Sequence, residues 1–273
     1  MNKERALSAF REYTDRFDTD DIRIRLKISH TYRVADIAER VGEYAGADPA
    51  FSWLLGLLHD IGRFEQLKQY GTFLDQRSVD HAELGADILF GQGYIESFPD
   101  VPGIDGWRTV AETAVRIHNK LKIPEGLDAE TELYCKVLRD ADKADIMRVL
   151  TEPPYDERNA RIIKGSADGS LSPASEEVMD CVRDHRCVPK DIMRTEFEAL
   201  IGQACMAFEL CYEISRSIVY EQGYLDRLLS LEVKDGRMAA QLGVLREEIM
   251  KTLKSGQAPG SAHTPLSCRQ QQI

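Results

Sequence analysis

Six residues of metal-ligand type carry the chemistry that this chain has to offer. His59 and Asp60 stand side by side in Gly56-Leu57-Leu58-His59-Asp60-Ile61-Gly62-Arg63, at the end of an otherwise apolar run. A histidine closing a helix beside an exposed aspartate has an ordinary explanation, since the negative end of the helix dipole favours an imidazolium. The surroundings outweigh it. His30 lies upstream, and Asp142 lies downstream in Arg139-Asp140-Ala141-Asp142-Lys143-Ala144-Asp145. These four residues belong to helices that must pack together, and a buried, unpaired carboxylate is costly unless a cation compensates it. His81 and His118 extend the set to six. Six ligands suffice for two octahedral or five-coordinate ions, with Asp60 bridging and water in the open positions. Imidazole and carboxylate donors suit divalent transition metals such as Fe or Mn. His185 and His263, in a loop-rich stretch and in the tail, read as solvent-exposed and outside the site.

Helices must position these residues. From Ser29, read as an N-cap, Val34, Ile37, Ala38 and Val41 recur at three- and four-residue steps, with Gly42 or Gly46 as the stop. Asp48-Pro49 opens a second helix through Trp53, Leu54, Leu57 and Leu58, and Gly62 is placed to end it. Further helices are expected over 79–90, 107–120 and 129–149, with a Gly- and Pro-rich loop over 91–106. Beyond Glu152-Pro153-Pro154 the chain is loop-rich to about residue 195, a candidate lid, with one short helix near 176–182. A long amphipathic helix or helix pair is expected over 196–229 and another helix over 242–253. The stripe at 196–229 either packs on the core and walls the pocket or serves a homodimer interface. No stretch sustains period-two alternation, so the expected fold class is all-α. The expected organisation is a metal-binding helical domain over 1–150, a C-terminal helical extension over 151–253 and a disordered tail over 254–273.

Composition narrows the function classes. With 43% hydrophobic residues the chain can bury a sizeable core. A net charge of -11 argues against a nucleic-acid polymer as partner, although a few local cations or metals can still build a positive pocket for a small phosphorylated substrate. No signal core or membrane-spanning apolar run is visible, and the six cysteines form no C-x-x-C pair, so the expected setting is the reducing cytoplasm.

His30, His59-Asp60 and Asp142, in this order, resemble the HD superfamily of metal-dependent phosphohydrolases. The runs Leu57-Leu58-His59-Asp60-Ile61-Gly62 and Asp140-Ala141-Asp142-Lys143 are typical of it, and the resemblance selects Asp142 over Asp140 as the ligand. His81 and His118 are similar to the intervening ligands of its two-metal subgroup, which includes HD-GYP cyclic dinucleotide phosphodiesterases and diadenosine tetraphosphate hydrolases. The chain has His118-Asn119 where HD-GYP proteins carry a His-His pair, and it lacks their Gly-Tyr-Pro signature, which speaks against a cyclic dinucleotide. The resemblance covers about residues 25–150. It implies an HD-domain helical bundle that hydrolyses a phosphomonoester or phosphodiester with a water activated between two metals sharing Asp60. Arg63, Lys120 and Lys143 are the candidate substrate-binding cations, with Arg63 and Lys143 also candidates for catalysis. Two other readings remain: an HD-fold di-iron oxygenase, which uses a closely similar ligand set, and a non-catalytic HD sensor or scaffold.

Overall fold

The computed structural model describes residues 2–98, 106–153, 162 and 171–255, and within them the chain is all-α, with no strand. Helix α1 (Lys3–Thr14) is N-capped by the Asn2 side chain and buries Ala6, Ala9, Phe10 and Tyr13. Helix α2 (Ile22–Ala45) begins well before the expected Ser29, because the Asp21 carboxylate caps Arg23 N and the buried Ile24 and Leu26 continue its apolar face. It ends at Gly46, whose φ of 79° belongs to the left-handed region.

Asp48 caps α3 (Pro49–Leu58), with Pro49 in the first turn as expected. Every residue from Phe51 to Leu58 is buried, so this helix is enclosed on all sides. Gly56 permits that enclosure: a Cβ there would lie 2.6 Å from Ala35 Cα and 2.9 Å from Val34 O on α2. The chain then departs from expectation. Gly62 does not end α3 but lies inside a further helix, α4 (Ile61–Tyr70), that starts directly after His59-Asp60. Its lack of a side chain serves packing, since a Cβ would meet His81 O at 2.2 Å and Gly85 N at 2.6 Å.

Asp80 caps α5 (His81–Ala86) through Ala82 N and Glu83 N, and a π-helical turn (Asp87–Gly91) continues it, burying Ile88, Leu89 and Phe90. The expected loop contains one short 3-10 turn (Tyr94–Ser97), and part of it lies outside the described residues. Helix α6 (Trp107–Ile117) stops short of the expected Lys120, with His118 at its C-cap. Helix α7 (Ala129–Val149), capped by Asp128, spans the expected residues. Helices α2, α3 and α7 pack together at the centre, with α6 against α5 and α7 and with α4 against α5.

The C-terminal region holds α8 (Glu176–Arg183), α9 (Glu196–Ala204), a 3-10 turn (Cys205–Glu209), α10 (Glu213–Gln222), α11 (Tyr224–Leu229) and α12 (Gly236–Lys254). The expected helix or helix pair over 196–229 is thus broken into pieces. Asp140 on α7 draws away the amides of Cys211 and Tyr212, each at 2.9 Å, and Gly223 turns the chain at φ 67°. The 3-10 turn, α10 and α11 pack on α7, and α12 closes over them. Much of the candidate lid over 152–195, and the tail beyond residue 255, fall outside the described residues. No described helix is long and apolar enough to cross a membrane.

Candidate metal centre

The fold brings the six sequence-predicted ligands to one place. His30 projects from the middle of α2, His59 caps the C-terminus of α3, and Asp60 is the first residue past it, at the start of α4. His81 opens α5, His118 caps the C-terminus of α6, and Asp142 lies on α7. All four imidazoles and Asp60 are buried.

Asp60 divides the site in two. Its Oδ2 faces His59 Nε2 at 3.4 Å and His30 Nε2 at 3.7 Å. Its Oδ1 faces His81 Nε2 at 3.6 Å and His118 Nε2 at 3.8 Å. Asp142 joins the first half, with Oδ1 at 3.1 Å from His30 Nε2 and 3.6 Å from His59 Nε2. Within these sets, His30 with His59 and Asp60, His59 with His118 and Asp142, and Asp60 with His81 and His118 each offer ligand atoms close enough to share an ion.

The inner nitrogens face the two carboxylates and one another because the outer ones are taken. His30 Nδ1 donates to Asp145 Oδ2 at 2.7 Å, and His81 Nδ1 donates to Asp75 at 3.0 Å. His59 Nδ1 donates to Gly56 O and His118 Nδ1 to Val115 O, both at 2.7 Å. These partners can only accept, so each neutral ring presents a lone pair on Nε2. His59 Nε2 is buried and makes no hydrogen bond. His81 Nε2 and His118 Nε2 stand 3.1 Å apart, lone pair towards lone pair. Protonation does not resolve that contact: burial and the neighbouring His81 and His59 push the His118 pKa down to about 3, and burial and Arg63 lower that of His81. Burial opposes charge on His59 as well, yet the Asp60 and Asp142 carboxylates outweigh it and raise its pKa to about 10. The same carboxylates would hold a metal cation, which competes with protons for such a site. Burial raises the pKa values of Asp60 and Asp142, but Lys27 and His59 beside the first, and His30 and His59 beside the second, hold both well below the usual carboxylate range. The donor set therefore fits divalent metal ions.

The three cations expected from the sequence fare differently. Arg63 sits at the site, its Nε 3.6 Å from Asp60 Oδ1, while Nη1 is committed to Gln66 Oε1, Phe73 O and Asp75 Oδ1. Lys120 is turned to the rim, 2.6 Å from Asp80 Oδ2 and 3.5 Å from Glu83 Oε1. Lys143 corrects the expectation. One residue beyond Asp142 on a helix lies about 100° round the axis, and its buried ammonium pairs there with Glu209. His185 is half-exposed and stacks on Phe208, away from the centre, and His263 lies outside the described residues.

Sequence reading missed the residues around the ligands. Asp145, one turn beyond Asp142, takes both His30 Nδ1 and the Arg33 guanidinium, whose Nε is 2.6 Å away. Lys27, one turn before His30, reaches Asp60 Oδ2 at 2.6 Å. Helical spacing from known ligands would have found both. Asp75 lies in a 3-10 turn with no periodic signal.

Residues 28–147 match the family model described as HD domain. Neither the curated proteins nor the solved structures gave a match to the chain.

Proposed function

We propose that this protein, whose residues 28–147 match the HD domain family model, is a metal-dependent phosphohydrolase. Its substrate would be a phosphomonoester or phosphodiester of a nucleotide or another small molecule. The observation that carries the reading is the division at Asp60, one carboxylate oxygen turned to His30 and His59 and the other to His81 and His118. His30, His59, Asp60 and Asp142 would hold one ion, and His81, His118 and Asp60 the second. When bound, such ions supply Lewis-acid charge and make a water nucleophilic near neutral pH.

The chain's own residues do the rest. Asp145 and Asp75 hold the outer nitrogens of His30 and His81, and the carbonyls of Gly56 and Val115 hold those of His59 and His118, so the Nε2 atoms of all four rings are aimed inward. Arg63, anchored by Asp75 and Phe73 O, keeps a permanent positive charge beside Asp60, where charge develops on phosphoryl oxygens.

The test is a panel of phosphomonoesters and phosphodiesters assayed for phosphate release with several divalent metals, alongside His59→Ala and Asp60→Ala. Metal-dependent release abolished by both substitutions is expected. Oxygen-dependent turnover without phosphate release would overturn the hydrolase in favour of an HD-fold oxygenase. Purified protein that takes up no transition metal would instead support a sensor or scaffold.

A further inference from the structure

The cations expected to receive the substrate are largely spent on other anions: Lys143 on Glu209, Lys120 on Asp80 and Glu83, and Arg63 Nη1 on Asp75 and two neutral acceptors. Lys27, at the centre itself, pairs with a single anion, Asp60. Lys27 lies one turn before His30 on α2, and residues three apart share a helix face, so its ammonium enters the site from the same side as the His30 ring. Nζ lies 2.6 Å from Asp60 Oδ2, the oxygen that His30 and His59 also face. Among the described residues Asp60 is its only hydrogen-bond partner, and a lysine ammonium has three N–H donors. The Phe73 ring covers it at 5.7 Å and also borders Arg63 at 5.8 Å, so one aromatic side chain lies against both cations. The Lys27 side chain keeps 15% of its surface in solvent, whereas His59 keeps none.

We propose that Lys27 is the residue that grips the anionic oxygen of the substrate, a phosphoryl or similar oxyanion, next to the metal ligands. This assignment rests on the phosphohydrolase reading. One N–H stays on Asp60 and the others donate to the oxyanion. A flexible point charge suits an oxygen whose position shifts during reaction better than a fixed guanidinium fork does. Asp60 keeps the ammonium from swinging out to solvent.

The test uses the full-length, metal-loaded protein and inorganic phosphate as probe. Isothermal titration of phosphate is compared for wild type, Lys27→Met, Lys27→Gln and Lys27→Arg, with metal content measured on each sample. A charge-assisted hydrogen bond of this kind corresponds to on the order of a tenfold change in affinity. Both neutral variants should bind phosphate about that much more weakly, retain their metal, and raise KM for a turned-over substrate more than they lower kcat. Arg should restore part of the loss. Lys27→Gln keeps a polar head in the same place, so it carries the comparison if Lys27→Met folds poorly. Wild-type phosphate affinity in metal-replete neutral variants overturns the assignment. Loss of metal in both neutral variants overturns it too, because Lys27 would then act only by holding Asp60. Phosphate binding that depends on Lys27 without any hydrolysis would leave the assignment standing and remove the proposed activity. Hydrolysis unaffected by the substitutions would do the reverse, and a wild type that binds no phosphate overturns the assignment.

Discussion

Asp145→Asn isolates the layer behind the ligands. Asp145 is buried and serves two side chains at once: Oδ2 accepts from His30 Nδ1 at 2.7 Å and from Arg33 Nη2 at 2.9 Å, and Oδ1 accepts from Arg33 Nε at 2.6 Å. Burial pushes its pKa up, but the His30 and Arg33 contacts more than offset this, so the carboxylate is ionised in the folded protein. Asparagine keeps one carbonyl oxygen and turns an NH2 towards either Arg33 or His30, so one of the two donors loses its acceptor. If His30 is the loser, its ring is no longer fixed and its nitrogen is less basic. Removing such a support typically weakens metal binding about 10–100-fold, which is about 1.4–2.7 kcal/mol. Stability falls as well. Breaking a fully buried ion pair costs about 3–5 kcal/mol. Arg33 is 21% exposed and has Glu152 at 3.7 Å as a second anion, so the loss should be smaller, roughly 2–3 kcal/mol. For a chain of this size that is a drop in Tm of roughly 4–12 °C. Competition with a calibrated chelator gives the metal affinity and thermal melts give the stability. The cycle with His30→Ala decides the mechanism: in that background Asp145→Asn should change metal affinity little, because its route to the metal has gone. Equal losses in both backgrounds, or unchanged affinity in the single variant, would refute the idea that Asp145 acts through His30.

Chelation should destabilise the fold. A metal present at a hundred times its Kd contributes about 2.7 kcal/mol, so exhaustive chelation should lower Tm and added divalent metal should restore it; an unchanged melting curve would mean that no ion is bound. Gly62→Ala drives a methyl group to 2.2 Å from His81 O, so α4 and α5 must separate at a cost of about 3 kcal/mol, and His81 should shift; metal stoichiometry equal to wild type would count against the packing role of this glycine. Glu198 accepts the backbone amides of Ser175, Arg194 and Thr195. Burial raises its pKa, but these bonds outweigh it and bring it below the ordinary value. A depressed folded pKa means stability that is present above the unfolded pKa and lost as pH falls through the folded one. The Tm gap between wild type and Glu198→Gln should therefore be full near neutrality and close below about pH 4.5; a gap independent of pH would refute it.

The fold was legible where helical period and caps spoke together. The helical period of its apolar face set α7, and Asp48-Pro49 set the start of α3. It was illegible where tertiary partners overrode local signals. Gly62 has the residue type of a helix stop, yet its place is decided by the backbone of α5 pressing on it. The break after Glu209 depends on Asp140, whose carboxylate caps amides 71 and 72 residues away, and no window along the chain contains that information. The start of α2 was misplaced for a simpler reason: Ser29 is an acceptable cap, and Asp21 is a better one backed by two more buried positions.

The centre shows the same division at closer range. The candidate ligands are readable because histidines are few and a buried carboxylate is costly, so His30, His59-Asp60, His81 and His118 stand out along the chain, while the resemblance to the HD family was needed to choose Asp142 over Asp140. Their supports are common residues in common places. Asp145 and Lys27 look like ordinary helix-surface charges until each is placed one turn from a ligand. Two of the four supports for the imidazoles are backbone carbonyls, Gly56 O and Val115 O, which carry no residue identity at all. Both lie three residues before the histidine they hold, a register that only the close of a helix provides, which is why His59 and His118 had to be C-caps and not mid-helix residues. Lys143 shows the converse: adjacency to Asp142 in sequence suggested a place in the site, and the helical rotation between neighbours sent it to Glu209. Cations for such a site are better sought three or four residues from a ligand than beside one, and that spacing singles out Lys27.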